Sequence, residues 1–429
     1  MRLGGRLAAA IEVLDDIARR HRPATDALKD WGLSHRFAGA GDRAAIGNIV
    51  YDALRRRRSA GWLFDSDNSR AQGFGALVLE LGMDGPAINR ALDGDRFAPP
   101  LLDNAELATL AGRKLDDAPD AVRADCPDWC VPHVQDAFGP DWVDEVAALA
   151  ARPPLDLRVN TLLSNRDKVL AELASTGATP TQLAAQGIRI PPISGGGRHP
   201  NVQVEAAFQK GWFEVQDEGS QIVGDLAGAD AGMQVLDYCA GAGGKTLALS
   251  ATMDNRGQIF AHDAEKQRLA PIFDRLRRSG GRNVQTVAGE AGLAPLEDQM
   301  DLVLVDAPCT GSGTWRRRPD AKWRLTDRQL EVRLREQATI LEAAKRYVKP
   351  GGRFVYITCS IFPQENQRQV GTFLENAPDF HMVAPEALWE AQFVGASGKA
   401  RIDPRGIVLT PATSGTDGFF VSVMERASR

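Results

Sequence analysis

The chain has 429 residues, of which 43% are apolar and 25% charged, with a net charge of −5. This is ordinary globular usage, so wholesale disorder is excluded, and no apolar run is long enough for a membrane helix. Five cysteines in a chain this long do not make a disulfide framework, and the acidic balance excludes an all-over basic coat while permitting a local basic face. A cytoplasmic protein with reduced thiols is expected.

The first stretch places Ala8, Ile11, Val13, Leu14 and Ile17 at helical spacings, and Glu12, Asp15 and Asp16 break the apolar run, which argues for an amphipathic helix and against a signal peptide. A second helical stretch carries Ala44 to Leu54 and ends in Arg55–Arg58, where cations suit the helix dipole. Residues 1–145 read as a helical bundle. The segment 153–157, PPLDL, marks a boundary. RVNTLL then reads as a strand, DKVLAELASTG as a helix ending at Gly177, 192–200 as a loop and WFEVQ as a strand, so residues 146–225 read as a small α+β connecting domain. From 232 onward the short apolar runs MQVLDY, GQIFAHD, NVQTVAG, MDLVLVDAP and RFVYITCS alternate with helices, and GFFVSVM comes last. Runs such as DLVLVD lack polar alternation, as strands covered on both faces do. Residues 226–429 therefore predict an α/β domain with a doubly wound, mostly parallel, Rossmann-like sheet.

VLDYC runs into AGAGGKT and a helix. Such a strand–glycine turn–helix unit presents backbone N–H groups and lets a ligand approach the chain closely. A P-loop would need Gly where Cys239 stands, and a dinucleotide fingerprint would need Gly at Thr246; each match fails by one residue. S-adenosylmethionine is the third possibility. Asp263 ends the next strand, where an acid would hold ribose hydroxyls; Glu290 follows the third strand and Asp306 ends the fourth. Three acids at successive carboxyl ends form a coherent constellation, although each alone is more often a helix cap or a solvated loop acid.

Cys309 lies just past the fourth strand and Cys359 ends the fifth. A lone free cysteine is usually a buried apolar residue, but a pair at neighbouring strand ends suits one chemistry well. Carbon 5 of cytosine is too weak a nucleophile to take a methyl group directly. A thiolate added to carbon 6 makes it an enamine, and a second thiol can assist the later release.

DYCAGAGGKT, DAPCTGSG, RRRPDAKW, YITCSIFPQEN, RVNTL, WFEVQDEGSQ and the terminal TDGFF resemble motifs of the RsmB/Nop/Sun family of RNA cytosine-5 methyltransferases. DRAAIGNIVYDALRRRR resembles, more loosely, the NusB-like RNA-binding domain of the family's bacterial RsmB branch. The resemblance implies a class I methyltransferase domain that uses S-adenosylmethionine, with Cys359 as nucleophile and Cys309 as the releasing thiol. It implies that Cys239, Ala240, Gly241, Ala242, Gly243, Gly244, Lys245, Asp263, Glu290 and Asp306 contact the cofactor. It also places Asp306, Pro308 and Lys245 about the target base. Two positions depart from the family pattern: Gly241–Ala242 replaces Ala–Pro, which leaves the turn less stiff, and Glu290 stands where Asp is usual.

Arg316, Arg317 and Arg318, between Trp315 and Trp323, suit phosphates and a displaced base; the bland alternative is that both tryptophans are core. Arg55–Arg58 equally suits a solvated helix end. Cys126, Cys130 and His133 lack a fourth zinc ligand, so no metal is expected. The resulting expectation is a monomeric methyltransferase acting on carbon 5 of a cytosine in ribosomal RNA, most plainly the 16S species, with no membrane partner. Transfer RNA as substrate, or a non-catalytic RNA-binding assembly factor with the same fold, are the rival readings.

Overall fold

A computed structural model describes residues 1–193 and 195–428, apart from the side chain of Glu290. The chain divides into two compact units. The first comprises Met1–Pro153, Pro192–His199 and Thr314–Thr326, and the second the remainder.

The first unit is helical. The helices Leu3–Arg20, Ala40–Arg55 and Ser69–Leu81 close around Leu7, Leu14, Ile46, Val50, Phe74 and Leu77, all buried. Apolar residues three and four apart put one face of each helix into this core. Asn68 caps the third of these helices by accepting from Ala71 N–H at 2.8 Å, and Gly82, at φ +66°, ends it in the left-handed conformation that glycine adopts without strain.

The arginine run is not a solvated helix end. The helix breaks at Arg56, and a second one begins at Arg57. Arg55 donates to Asp52 at 2.9 Å and to the Arg316 carbonyl at 2.8 Å. Arg56 pairs with Glu80 at 2.9 Å, Arg58 reaches Asp128 and the Cys126 carbonyl, and Arg57 lies over the Trp323 ring. Residues 314–326, expected within the last domain, belong to this helical unit. Trp323 Nε1 donates to the Leu54 carbonyl at 2.6 Å. Lys322 is fully buried beside Asp125, Cys126 and Cys130. Burial draws its ammonium below the ordinary lysine range and pushes the Asp125 carboxyl up, and each charge opposes the other's shift.

In the second unit, strands β1 (Leu155–Val159), β2 (Thr179–Pro180), β3 (Gly187–Ile190) and β4 (Phe213–Val215) form an antiparallel sheet in the order β2-β3-β1-β4. Leu157, Val159, Ile188 and Phe213 face its core. The larger sheet contains β5 (Gln234–Asp237), β6 (Gln258–His262), β7 (Val284–Val287), β8 (Met300–Asp306), β9 (Val348–Thr358), β10 (Phe380–Met382), β11 (Arg401–Asp403), β12 (Gly406–Leu409) and β13 (Phe419–Arg426). Its order is β11-β12-β13-β9-β8-β5-β6-β7, with β10 against β13. The β9-β8-β5-β6-β7 half is parallel, as the apolar runs predict. The hairpin β11–β12 and the antiparallel β13 extend the other edge. Leu302, Leu304, Val355 and Ile357 pack on one face, and Val303, Val305, Phe354 and Tyr356 on the other. Side chains alternate across a strand, so two covered faces demand a continuous apolar run.

Replacing Lys322 by Ala leaves buried Asp125 with only the more distant Arg56, at 3.8 Å, to oppose its charge. It should lower unfolding stability by roughly 3 kcal/mol in urea titration, far more than a change at an exposed lysine.

Candidate active site

The strand order reverses direction at β5: β6 and β7 lie to one side, β8 and β9 to the other. Ligands of open α/β sheets bind beyond the carboxyl ends at such a switch point. The turn after β5 is held tightly. Ala240 N–H donates to the His262 carbonyl at 2.8 Å and Gly243 N–H to the Ala240 carbonyl at 2.8 Å. Gly241 N–H donates to Asp263 Oδ2 at 3.0 Å. Gly243 sits at φ +81°, and a Cβ there would meet Ile272 Cγ1 at 2.5 Å, so glycine is required both by conformation and by space. The helix Gly244–Thr252 follows.

A cavity of about 510 Å³ opens beside this turn, lined by Tyr238, Cys239, His262, Asp263, Pro308 and Ile340 among others. Its size suits a ligand as large as a nucleoside with an amino-acid arm. The Asp263 carboxylate and the apolar walls are the groups that a ribose and an adenine need, so the residues fit S-adenosylmethionine. Of the predicted cofactor residues, Cys239 and Asp263 line this cavity, and Pro308, predicted to lie against the base, lines it too; Ala240–Gly244 form the turn beside it. The Glu290 side chain lies outside the described residues. Burial pushes the Cys239 thiol well above the usual range, which keeps it neutral and unreactive.

Lys245 and Asp306 meet: Nζ lies 2.7 Å from Oδ2, and 3.4 Å from Ser220 Oγ. Lys245 is buried, whereas Asp306 keeps about a third of its side-chain surface (35%) exposed. Asp237, behind the turn, accepts from Thr246 Oγ1 at 2.6 Å; its Oδ1 has no hydrogen-bond partner among the described residues. Burial pushes this carboxyl up to about 7.

The two cysteines predicted to cooperate come together. Cys309 Sγ and Cys359 Sγ are 3.4 Å apart, and both are half-buried rather than sealed off. The thiol hydrogen bond to Cys359, with burial behind it, raises the Cys309 pKa well above the ordinary range. Cys309 thus stays a neutral thiol beside Cys359, and either sulfur can be the donor in the contact between them. Arg316, expected to contact RNA, is buried, and its carbonyl accepts from Arg55. Arg317 is half-buried and only Arg318 of the three is exposed. All three belong to the helical unit, and burial of Arg316 removes it from the residues available to phosphate.

Sequence reasoning missed three supporting residues. Glu365, in the quoted IFPQEN, is fully buried and takes the Thr310 N–H at 2.8 Å. Gln337 reaches it from the helix Asp327–Ala344. Arg275 donates to the Ala242 carbonyl at 2.8 Å and to Glu214 at 3.0 Å. It thus braces the turn at the position where the resemblance led us to expect a stiffer proline. An acid inside the motif that carries Cys359 was the available signal for the first; nothing local marks the other two.

Comparison with known proteins agrees with this geometry. Residues 226–425 match the model of the 16S rRNA methyltransferase RsmB/F family, and residues 126–192 match the ferredoxin-like domain of RsmF/B-like methyltransferases. The ribosomal RNA small subunit methyltransferase B of Citrobacter koseri is 32% identical over 322 residues, which cover 74% of this chain and 68% of that protein. The chain belongs to the RsmB/F family of 16S rRNA methyltransferases. The probable ribosomal RNA small subunit methyltransferase B of Synechocystis is 27% identical, over 97% of this chain and 98% of its own length. The crystal structure of PH0851 superposes with a TM-score of 0.72 at 23% identity, over 99% of both chains, which shows a shared fold. The family depends on S-adenosylmethionine. No described helix is long and apolar enough to cross a membrane.

Two outcomes follow. Asp237 has a folded pKa near 7 against an unfolded value of about 3.9. Its contribution to stability is thus present in full below pH 4 and is lost as pH rises toward 7. An Asp237→Asn protein should gain on the parent by up to about 1.4 kcal/mol per pH unit across that window and hold a constant gap above it, in thermal melts. Arg275→Ala should raise the dissociation constant for S-adenosylmethionine about three- to tenfold, the worth of one hydrogen bond, with kcat unchanged.

Proposed function

We propose that this protein methylates carbon 5 of a cytosine in 16S ribosomal RNA through a covalent Cys359 adduct. The observation that carries this reading is the 3.4 Å approach of two half-buried sulfurs from separate strand ends. Bound S-adenosylmethionine supplies an electrophilic methyl group. The Cys359 thiolate adds to carbon 6 of the ring, and carbon 5 becomes nucleophilic. The Cys309 thiol, 3.4 Å from Cys359 Sγ, is within reach of the sulfur that must leave carbon 6 and can assist its departure. Once carbon 5 carries the methyl group, its proton passes to a base, the electron pair of that C–H bond restores the carbon 5–carbon 6 double bond, and the Cys359–carbon 6 bond breaks. Asp306 and a water are the candidate acceptors. Lys245, 2.7 Å from Asp306, fixes the position of that carboxylate by direct ion pairing.

The base must leave its stack for carbon 6 to reach a sulfur. Pro308 stiffens the turn that would lie against it, and Arg317 and Arg318 are the members of the basic run left to meet RNA, Arg318 with its side chain in solvent. The helical unit, Met1–Pro153 with Pro192–His199 and Thr314–Thr326, is proposed to carry further RNA contacts, in line with the resemblance of its helices to a NusB-like domain.

Cys359→Ser should lose methyl transfer to 16S ribosomal RNA by about a thousandfold or more, measured with labelled cofactor. Cys309→Ala should accumulate an RNA–protein adduct that persists on denaturing gels. A Cys359→Ser protein that methylates at the parental rate would overturn the covalent route.

A further inference from the structure

We infer that Glu365, with Gln337, clamps the Cys309 turn from both sides and is a positioning residue for the step that releases RNA from Cys359. This rests on the covalent reading above and goes beyond it by naming what holds the second sulfur in place. Cys309 is flanked by Pro308 and Thr310, and the same buried pair grips both neighbours. Gln337 Nε2 donates to the Pro308 carbonyl at 3.0 Å and to Glu365 Oε1 at 2.9 Å. Thr310 donates its N–H to Oε1 at 2.8 Å and its hydroxyl to Oε2 at 2.5 Å. Neither Glu365 nor Gln337 exposes any surface.

The clamp is itself anchored to the Cys359 strand. Tyr356 of β9 donates its hydroxyl to the Glu365 carbonyl at 2.7 Å. The two turns are also pinned together by Ser312 and Ser360, whose hydroxyls are 2.9 Å apart, and by Ile361 N–H donating to Ser312 Oγ at 2.9 Å. A buried carboxylate is costly and persists where donors surround it. Burial pushes the Glu365 carboxyl up, while the hydrogen bonds it receives oppose that shift. The arrangement sets where Cys309 Sγ lies relative to Cys359 Sγ; it meets the cofactor cavity lining at the Pro308 carbonyl, through Gln337, with Glu365 set behind it, and does not touch the Lys245–Asp306 pair. Loss of the clamp should therefore weaken release and spare cofactor binding, because a sulfur displaced by about 1 Å forfeits much of its effect.

The test uses the full chain with labelled S-adenosylmethionine and 16S ribosomal RNA. Glu365→Gln and Gln337→Ala proteins should form a methylated RNA–protein adduct, release it about ten- to a hundredfold more slowly than the parent, and keep the parental KM for the cofactor. Cys309→Ala run in parallel supplies the reference adduct. If Cys309→Ala traps RNA while both clamp variants turn over normally with no adduct, the clamp is refuted and the covalent reading stands. If Cys309→Ala traps nothing, the covalent reading fails and the clamp falls with it. Joint loss of adduct and of cofactor binding in both clamp variants marks a merely structural role and also refutes the proposal.

Discussion

The pairing of β8 with β9 is the constraint on which the site depends. The two strands run parallel, with Asp306 opposite Ile357, so both chains leave the sheet at the same edge and on the same level. Three residues past Asp306 comes Cys309; two past Ile357 comes Cys359. Parallel strands lie about 4.8 Å apart, and the turns beyond them need close only slightly for the sulfurs to touch. A shift of one residue in this register would swap the faces of one strand relative to the other and separate the two cysteine turns. The same packing that buries Val303, Val305, Phe354 and Tyr356 on one face, and Leu302, Leu304, Val355 and Ile357 on the other, therefore also sets where the two cysteines lie.

Around that edge the chain buries charge in a graded way. Asp306 is partly open and ion-paired. Glu365 is closed off but surrounded by donors. Asp237 is closed off, with one oxygen engaged and the other not, and its carboxyl is pushed up to about 7. Solvation and donor supply separate three carboxyls that sequence alone presents as similar acids. The same logic separates the cysteines: Cys239 is held neutral by burial, and Cys309 by the hydrogen bond to its neighbour and by burial.

The glycine turn shows how a local departure is absorbed. With Gly241 and Ala242 in the middle, the turn has little intrinsic stiffness, since glycine at φ +51° retains many alternatives in the unfolded chain. Order comes from outside: Asp263 takes one N–H, Arg275 binds one carbonyl, and Ile272 leaves no room for a side chain at 243. Three weak constraints from neighbouring elements stand in for one covalent ring.

Much of this was legible in the residues themselves. The unbroken apolar runs announced strands covered on both faces, the glycine run announced a tight strand-to-helix turn, and the quoted motifs announced the family, because all of these are local patterns with a fixed period or spacing. Other features depend on partners distant in the chain. The Arg55–Arg58 run reads as a solvated end until Asp52, Glu80, Asp128 and Trp323 come to meet it. The segment 314–326 reads as part of the sheet domain until Lys322 is seen buried beside Asp125. Glu365 and Gln337 are ordinary polar residues 28 positions apart until the fold closes them over one turn. Periodicity and motif are written in neighbouring residues, whereas the burial of a charge and the choice of its partner are settled by contacts between segments that no local pattern encodes.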